Sequence, residues 1–256
     1  MSSLSPARIA RLAALRAEVR ALESSAPAET RPCLPFGVES IDRRLDGGGL
    51  ATAALHEMVG ARPGLSDDAA ATLFVAGIAA RRPGPILWAL ARRDLFAPGL
   101  AAGGLAPDRV LYAEAGSDED VLAVMEEGLR HGGLGAVIGE VARVTMASTR
   151  RLQLAAEESG TTALMLKRWR KAGEDPLAIP SAAVTRWRIA CAPSVDLLVE
   201  GVGRPRWRLE LARQRGGEPH NWIMEGNDAE GRLALPAEPA HRPVAPARRS
   251  EGRQAA

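Results

Sequence analysis

The chain has 256 residues, enough for one large domain or two small ones around a sizeable buried core. Hydrophobic residues make up 46% and charged residues 25%, which excludes wholesale disorder, and a net charge of +2 is too small to demand a polyanionic partner. Cys33 and Cys191 stand far apart, and His56, His131, His220 and His241 share no ligand spacing, so neither a disulfide framework nor a metal site is expected.

Residues 6–23 read as an amphipathic helix. Ser5 caps it, Pro6 suits its first position, and Ile9, Leu12, Leu15, Val19 and Leu22 recur at spacings of three and four. That stripe must be buried on its own domain or on another chain, which makes those five residues the candidate partner-binding surface. Arginines interrupt the segment every few residues, so it is no signal peptide, and no stretch approaches the ~20 apolar residues of a membrane span. A cytoplasmic protein is expected. Residues 24–35, with three prolines, read as a linker.

From Leu34 strands alternate with helices. Strands are expected at Ala54–Val59, Pro85–Leu90, Val110–Ala113, Ala136–Val141 and Thr161–Leu166. Helices are expected at Ser66–Ala80 with Ser66 as cap, from Ser117 to about Arg130 with Asp120 completing a capping box, and at Thr145–Ser159. Strands apolar on both faces and separated by helices imply a largely parallel sheet covered on both sides. After Lys167 the helices stop. Ala182–Ala190, Arg206–Arg213, Trp222–Glu225 and Arg232–Leu235 read as an antiparallel extension of that sheet. The division expected is therefore 1–33 helix and linker, 34–235 an α/β core, and 236–256 a Pro-, Ala- and Arg-rich tail without periodicity.

Parallel α/β sheets bind ligands where strands end and helices begin. Here the strand ending at Gly60 runs through Ala61–Ser66 into a helix, the skeleton of a phosphate-binding loop. A working loop needs a lysine for the β/γ-phosphates and a hydroxyl for magnesium. Counting from Gly60, those positions are Ser66 and Asp67, and moving the register to Gly64 recovers no lysine. Gly60, Gly64, Ser66 and Asp67 thus outline a vestigial nucleotide site, with Asp67 and Asp68 repelling a triphosphate.

The run Leu34-Pro-Phe-Gly-Val-Glu-Ser-Ile-Asp42, with Leu45-Asp-Gly-Gly-Gly-Leu50 ahead of this loop, resembles the entry to RecA-type ATPase cores. Ala136-Val-Ile-Gly-Glu-Val141, Thr149-Arg-Arg-Leu-Gln-Leu-Ala-Ala156 and the segment 205–219 resemble the ImuA family. The resemblance spans Leu34 to Leu235. It implies a RecA-like, P-loop NTPase-type fold and an accessory role in DNA-damage-induced, error-prone translesion synthesis. It also implies a direct partner of the ImuB type, an inactive Y-family polymerase homologue, and through it an error-prone C-family polymerase. Carried over residue by residue, the phosphate-loop lysine falls on Ser66, the water-activating glutamate on Arg92, and the magnesium-site aspartate on Gly139, with Glu140 one residue along and facing the other way. No ATP hydrolysis and no ATP cofactor are expected.

In RecA-type proteins the loop following the Thr161–Leu166 strand contacts DNA. Lys167, Arg168, Arg170 and Lys171 here surround Trp169, combining phosphate attraction with a stacking surface, so this segment is either a single-stranded DNA contact or plain solvated charge. Residues 161–215 hold 11 basic side chains against five acidic ones, which concentrates positive charge in this half. Arg186-Trp-Arg188 and the run from Arg204 to Arg208 repeat the alternation on strands, where a buried Trp with solvated Arg is the simpler reading. Two other functions remain open: a nucleotide-gated RecA-like ATPase of recombination, and a regulator of RecA filaments or of a cell-division protein.

Overall fold

The computed structural model describes residues 32–194 and 203–236, together with Arg11 and Ala14. The partner stripe Ile9, Leu12, Leu15, Val19 and Leu22 and the tail beyond Pro236 lie outside the described residues. Two short strands, β1 (Cys33–Leu34) and β2 (Leu50–Ala51), pair antiparallel and flank helix α1 (Glu39–Asp42). The main sheet contains β3 (Leu55–Gly60), β4 (Ile86–Leu90), β5 (Val110–Glu114), β6 (Ala136–Val141), β7 (Thr162–Lys167), β8 (Thr185–Ala192), β9 (Arg206–Gln214) and β10 (His220–Glu225). Its order is β10-β9-β8-β3-β7-β6-β4-β5, parallel from β8 to β5 and antiparallel through β9 and β10. The mostly parallel sheet with an antiparallel extension follows the expectation.

Helices α2 (Leu65–Ala80) and α3 (Ala97–Ala102) pack on one face; α4 (Asp118–His131) and α5 (Met146–Ser159) cover the other. Strands β3, β6 and β7 are buried along their whole length, which is why they read as mostly apolar, with His56, Glu57, Glu140 and Lys167 the exceptions. Ser117 and Thr145 cap α4 and α5, each accepting from a backbone N–H three residues on. Ser66 does not cap α2. That helix begins one residue earlier, at Leu65, behind Gly64 with φ +141° and no side-chain cap. Of the strand expected at Arg232–Leu235 only Ala234 forms a bridge, to Glu225.

The arginine–tryptophan alternation resolves into packing. Trp187, Trp207 and Trp222 point from β8, β9 and β10 onto the α2 face, where Phe74 stacks on Phe36 at 5.9 Å and meets the edge of Trp207 at 6.5 Å. Arg186 departs from the expected solvated position: it is buried on the opposite face and donates to Glu57 Oε2 at 2.7 Å. Among the described residues no helix is long and apolar enough to cross a membrane.

His56 ties three strands. Its ring lies between the carbonyl of Ala51 (2.8 Å) and Thr185 Oγ1 (2.7 Å) with no exposed surface. Burial lowers its pKa to about 4, outweighing the backbone hydrogen bond that raises it. The unfolded chain, at about 6.5, takes up this proton first. His56 therefore contributes fully above pH 6.5, and its contribution is lost as pH falls towards 4. Between pH 6.5 and 5 the loss should approach 2 kcal/mol. Urea unfolding of the wild type and His56→Gln at both values checks this, and parallel losses in the two proteins would contradict it.

Candidate functional site

The strand–loop–helix crossing at Gly60 is present, but its surfaces are taken by the chain itself. The first turn of α2 closes back so tightly that a Cβ at Gly60 would lie 2.9 Å from both the Asp67 carbonyl carbon and Asp68 Oδ1. The Gly60 carbonyl accepts the indole N–H of Trp169 at 2.7 Å, and Ala61 N–H donates to the carbonyl of Ile189 at 2.8 Å. Asp67, almost fully buried, accepts from Cys191 N–H (2.9 Å) and from Arg62 Nε (3.1 Å), which joins the loop, α2 and β8. Ser66, at the lysine position, is exposed. Asp68 Oδ1 is buried without a partner; burial raises the Asp68 pKa, and the Arg168 charge pulls it back.

The end of β6 corrects the strand-parity argument. Gly139 points away from α2, towards α4, where an added Cβ would overlap Met125 Sδ and approach Val121 Cγ1 to 3.2 Å. Glu140, not position 139, carries the acid on the α2 face. Its Oε1 accepts from Trp88 Nε1 at 2.8 Å, and its Oε2 accepts from Arg168 Nε and Nη2 at 2.9 and 2.7 Å. Arg168 also donates to Thr72 Oγ1 at 3.1 Å. A guanidinium thus fills the space between the end of β6 and the first turns of α2. Two side chains from the loop after β7, Arg168 and Trp169, hold the crossing shut.

The expected DNA segment divides. Lys167 is wholly buried with no hydrogen bond to Nζ, its pKa lowered by burial despite the nearby Glu57 charge, so it has no surface to offer a nucleic acid. Arg168 is committed to Glu140. Trp169 is half-buried with its N–H used, while Arg170 and Lys171 are exposed, Lys171 lying 3.9 Å from Glu174. The separation was not readable from composition, because β7 runs one residue further than its apolar stretch and draws Lys167 inside.

Beside the closed crossing lies a cleft of about 1460 Å³ along the carboxyl edge of the sheet, lined by the ends of β4, β6 and β7 and the starts of α2, α4 and α5. Strand β4 leads to α3 on one face and β6 to α5 on the other, so the cleft occupies a topological switch point, where open α/β sheets bind ligands. Leu65 and Asp68 line it; Gly60, Gly64, Ser66 and Asp67 do not. Arg92, at the water-activating position, is on its rim and exposed. Sequence reasoning missed Trp88, Thr72 and Arg143. The only hint was Glu140 itself, an acid inside an otherwise apolar strand.

No family model matches the chain. Protein ImuA of Caulobacter vibrioides, in strains NA1000 / CB15N and ATCC 19089 / CIP 103742 / CB 15, is 38% identical over 209 residues, covering 77% of this chain and 85% of the relative. At that identity and coverage the chain belongs to the ImuA family.

Proposed function

We propose that this chain is a non-catalytic, RecA-like accessory protein of DNA-damage-induced mutagenesis, which holds an ImuB-type partner and, through it, an error-prone C-family polymerase. The observation that carries this reading is the self-occupied crossing. Trp169 on the Gly60 carbonyl, Asp67 bonded to β8, and Arg168 against Glu140 crowd the crossing with this chain's own side chains. Positions 66 and 92 offer serine and arginine where charge neutralisation and a base would be needed, and the acid at the end of β6, Glu140, is tied to Arg168. The RecA-like reading is supported by the central loop-bearing strand, with positions 66 and 92 following strands, and Glu140 at the end of another, of one parallel sheet. Membership of the ImuA family favours the mutagenesis setting.

The partner contact is assigned to the segment ahead of Pro32, with its Ile9, Leu12, Leu15, Val19 and Leu22 stripe. Because the stripe precedes a linker with three prolines, Leu12→Asp should leave folding of the core intact. Co-purification with the ImuB-type protein should fall at least tenfold in Leu12→Asp, with the thermal midpoint unchanged. An unfolded variant would place the stripe inside the core and contradict the assignment. Direct contact with single-stranded DNA is confined to the Trp169 ring, Arg170 and Lys171.

A further inference from the structure

One wall of the carboxyl-edge cleft is apolar. Leu65, Ala69 and Leu73 recur every four residues on α2 and so form one stripe facing the cleft, and Phe96 borders the same cavity. Leu65 is 90% and Phe96 71% exposed, the two most exposed large apolar side chains among the described residues. Apolar surface concentrated in a concave site marks a binding surface rather than ordinary scatter.

Charge narrows the occupant. Six carboxylates and five arginines line the cleft, so acids are in slight excess. Arg92, Arg143 and Arg170, and the acids Asp94 and Glu119, are exposed without a side-chain hydrogen bond or ion pair among the described residues. A rim that keeps free charges of both signs suits neither a polyanion nor an acidic peptide. It suits an apolar stripe flanked by both signs with cations in excess. Residues 6–23 of this chain are such a segment: the stripe from Ile9 to Leu22 is flanked by four arginines and two glutamates. Arg11 and Ala14, the described residues of that segment, are helical, lie off the stripe and are exposed. Residues 237–256 also carry more arginine than glutamate, but Val244 is their one large apolar side chain.

We infer that in the free protein this cleft receives the chain's own residues 6–23 as a helix in a groove, the apolar stripe lying against Leu65, Leu73 and Phe96. The linker is long enough. The Pro32 carbonyl is fixed near the start of β3, accepting from Thr52 N–H and Oγ1 at 2.9 Å each. The near wall of the cleft, at Leu65, follows the other end of that strand. Strand β3 has six residues, a length of about 20 Å, whereas the linker residues 24–31 extend to about 27 Å. The inference rests on the reading of the stripe as the partner contact. Docking hides that contact in the free chain, and the ImuB-type partner binds by drawing the stripe out of the cleft, since the two cannot hold it at once.

The test uses the full chain with the photocrosslinker p-benzoylphenylalanine in place of Phe96, an exposed position where an aromatic ring is kept. After irradiation the products are separated by size and mapped by mass spectrometry. A monomeric product joining position 96 to residues 6–23 is expected. Its yield should fall about tenfold in Leu12→Asp, and about as far when the ImuB-type partner is added at saturation. No crosslink to residues 6–23, a yield indifferent to Leu12→Asp, or a product joining two copies of the chain would each overturn the inference. Loss of partner co-purification in Leu12→Asp, with no crosslink in the parent protein, would sink the docking alone and leave the partner contact standing. A crosslink that the partner does not reduce, with co-purification indifferent to Leu12→Asp, would instead sink the partner contact and, with it, the masking.

Discussion

Arg168→Ala is expected to destabilise the protein by about 3–5 kcal/mol, as removal of one member of a buried ion pair does. Glu140 would keep the Trp88 N–H but lose both guanidinium hydrogen bonds, and its side chain, 8% exposed, has little access to water. Thr72 would lose its donor as well. The cost should fall mainly on the uncompensated carboxylate rather than on lost attraction. The double substitution Arg168→Leu with Glu140→Gln should therefore recover most of the stability, since the amide oxygen keeps an acceptor for Trp88 and nothing buried and charged remains. Urea denaturation of the three proteins checks this. A double variant as unstable as Arg168→Ala would place the loss in packing instead.

Gly139→Asp, an acid at the position that the sequence alone assigns to a magnesium-site aspartate, should be among the most damaging single changes in the core. Its Cβ would overlap Met125 Sδ, and its carboxylate would sit among Val121, Met125 and Val137, all without exposed surface. Burying that charge, or protonating it to avoid doing so, costs several kcal/mol. Gly139→Ala separates shape from charge: Met125 can shift, so its loss should be about 1–3 kcal/mol, the range for overpacking. If Gly139→Asp folded with near wild-type stability, the α4 face would be looser than the packing at Met125 indicates.

Much of the sheet was legible because its central strands are buried on both faces. Leu55–Gly60, Ala136–Val141 and Thr162–Lys167 read as mostly apolar runs, interrupted by His56, Glu57 and Glu140 and closed by Lys167, and Ser117 and Thr145 announced their helices through capping oxygens. The start of α2 was misplaced because a glycine, whose side chain gives no capping signal, precedes it. The site was less legible for a different reason. Alternation along a strand says that Gly139 and Glu140 face opposite ways, but not which of them faces α2. That depends on which layer each helix joins. The bonds that close the crossing join residues far apart in sequence: Trp169 reaches Gly60 over 109 residues, and Arg168 reaches Glu140 over 28 and Thr72 over 96. Local pattern in the segment 167–171 showed cations around an indole. It could not show that two of those side chains are turned inward and a third is buried in β7.

Titrating Mg-ATP into the purified full-length chain by calorimetry, with and without single-stranded DNA, tests the central claim most directly. A crossing whose carbonyl is held by Trp169, whose first helical turn carries Asp67 and Asp68, and whose lysine position is Ser66 should give no saturable heat. It should also give no shift in thermal midpoint and no phosphate release above background. Saturable binding that needs magnesium, or DNA-stimulated phosphate release that is lost on substituting Asp67, would contradict the account.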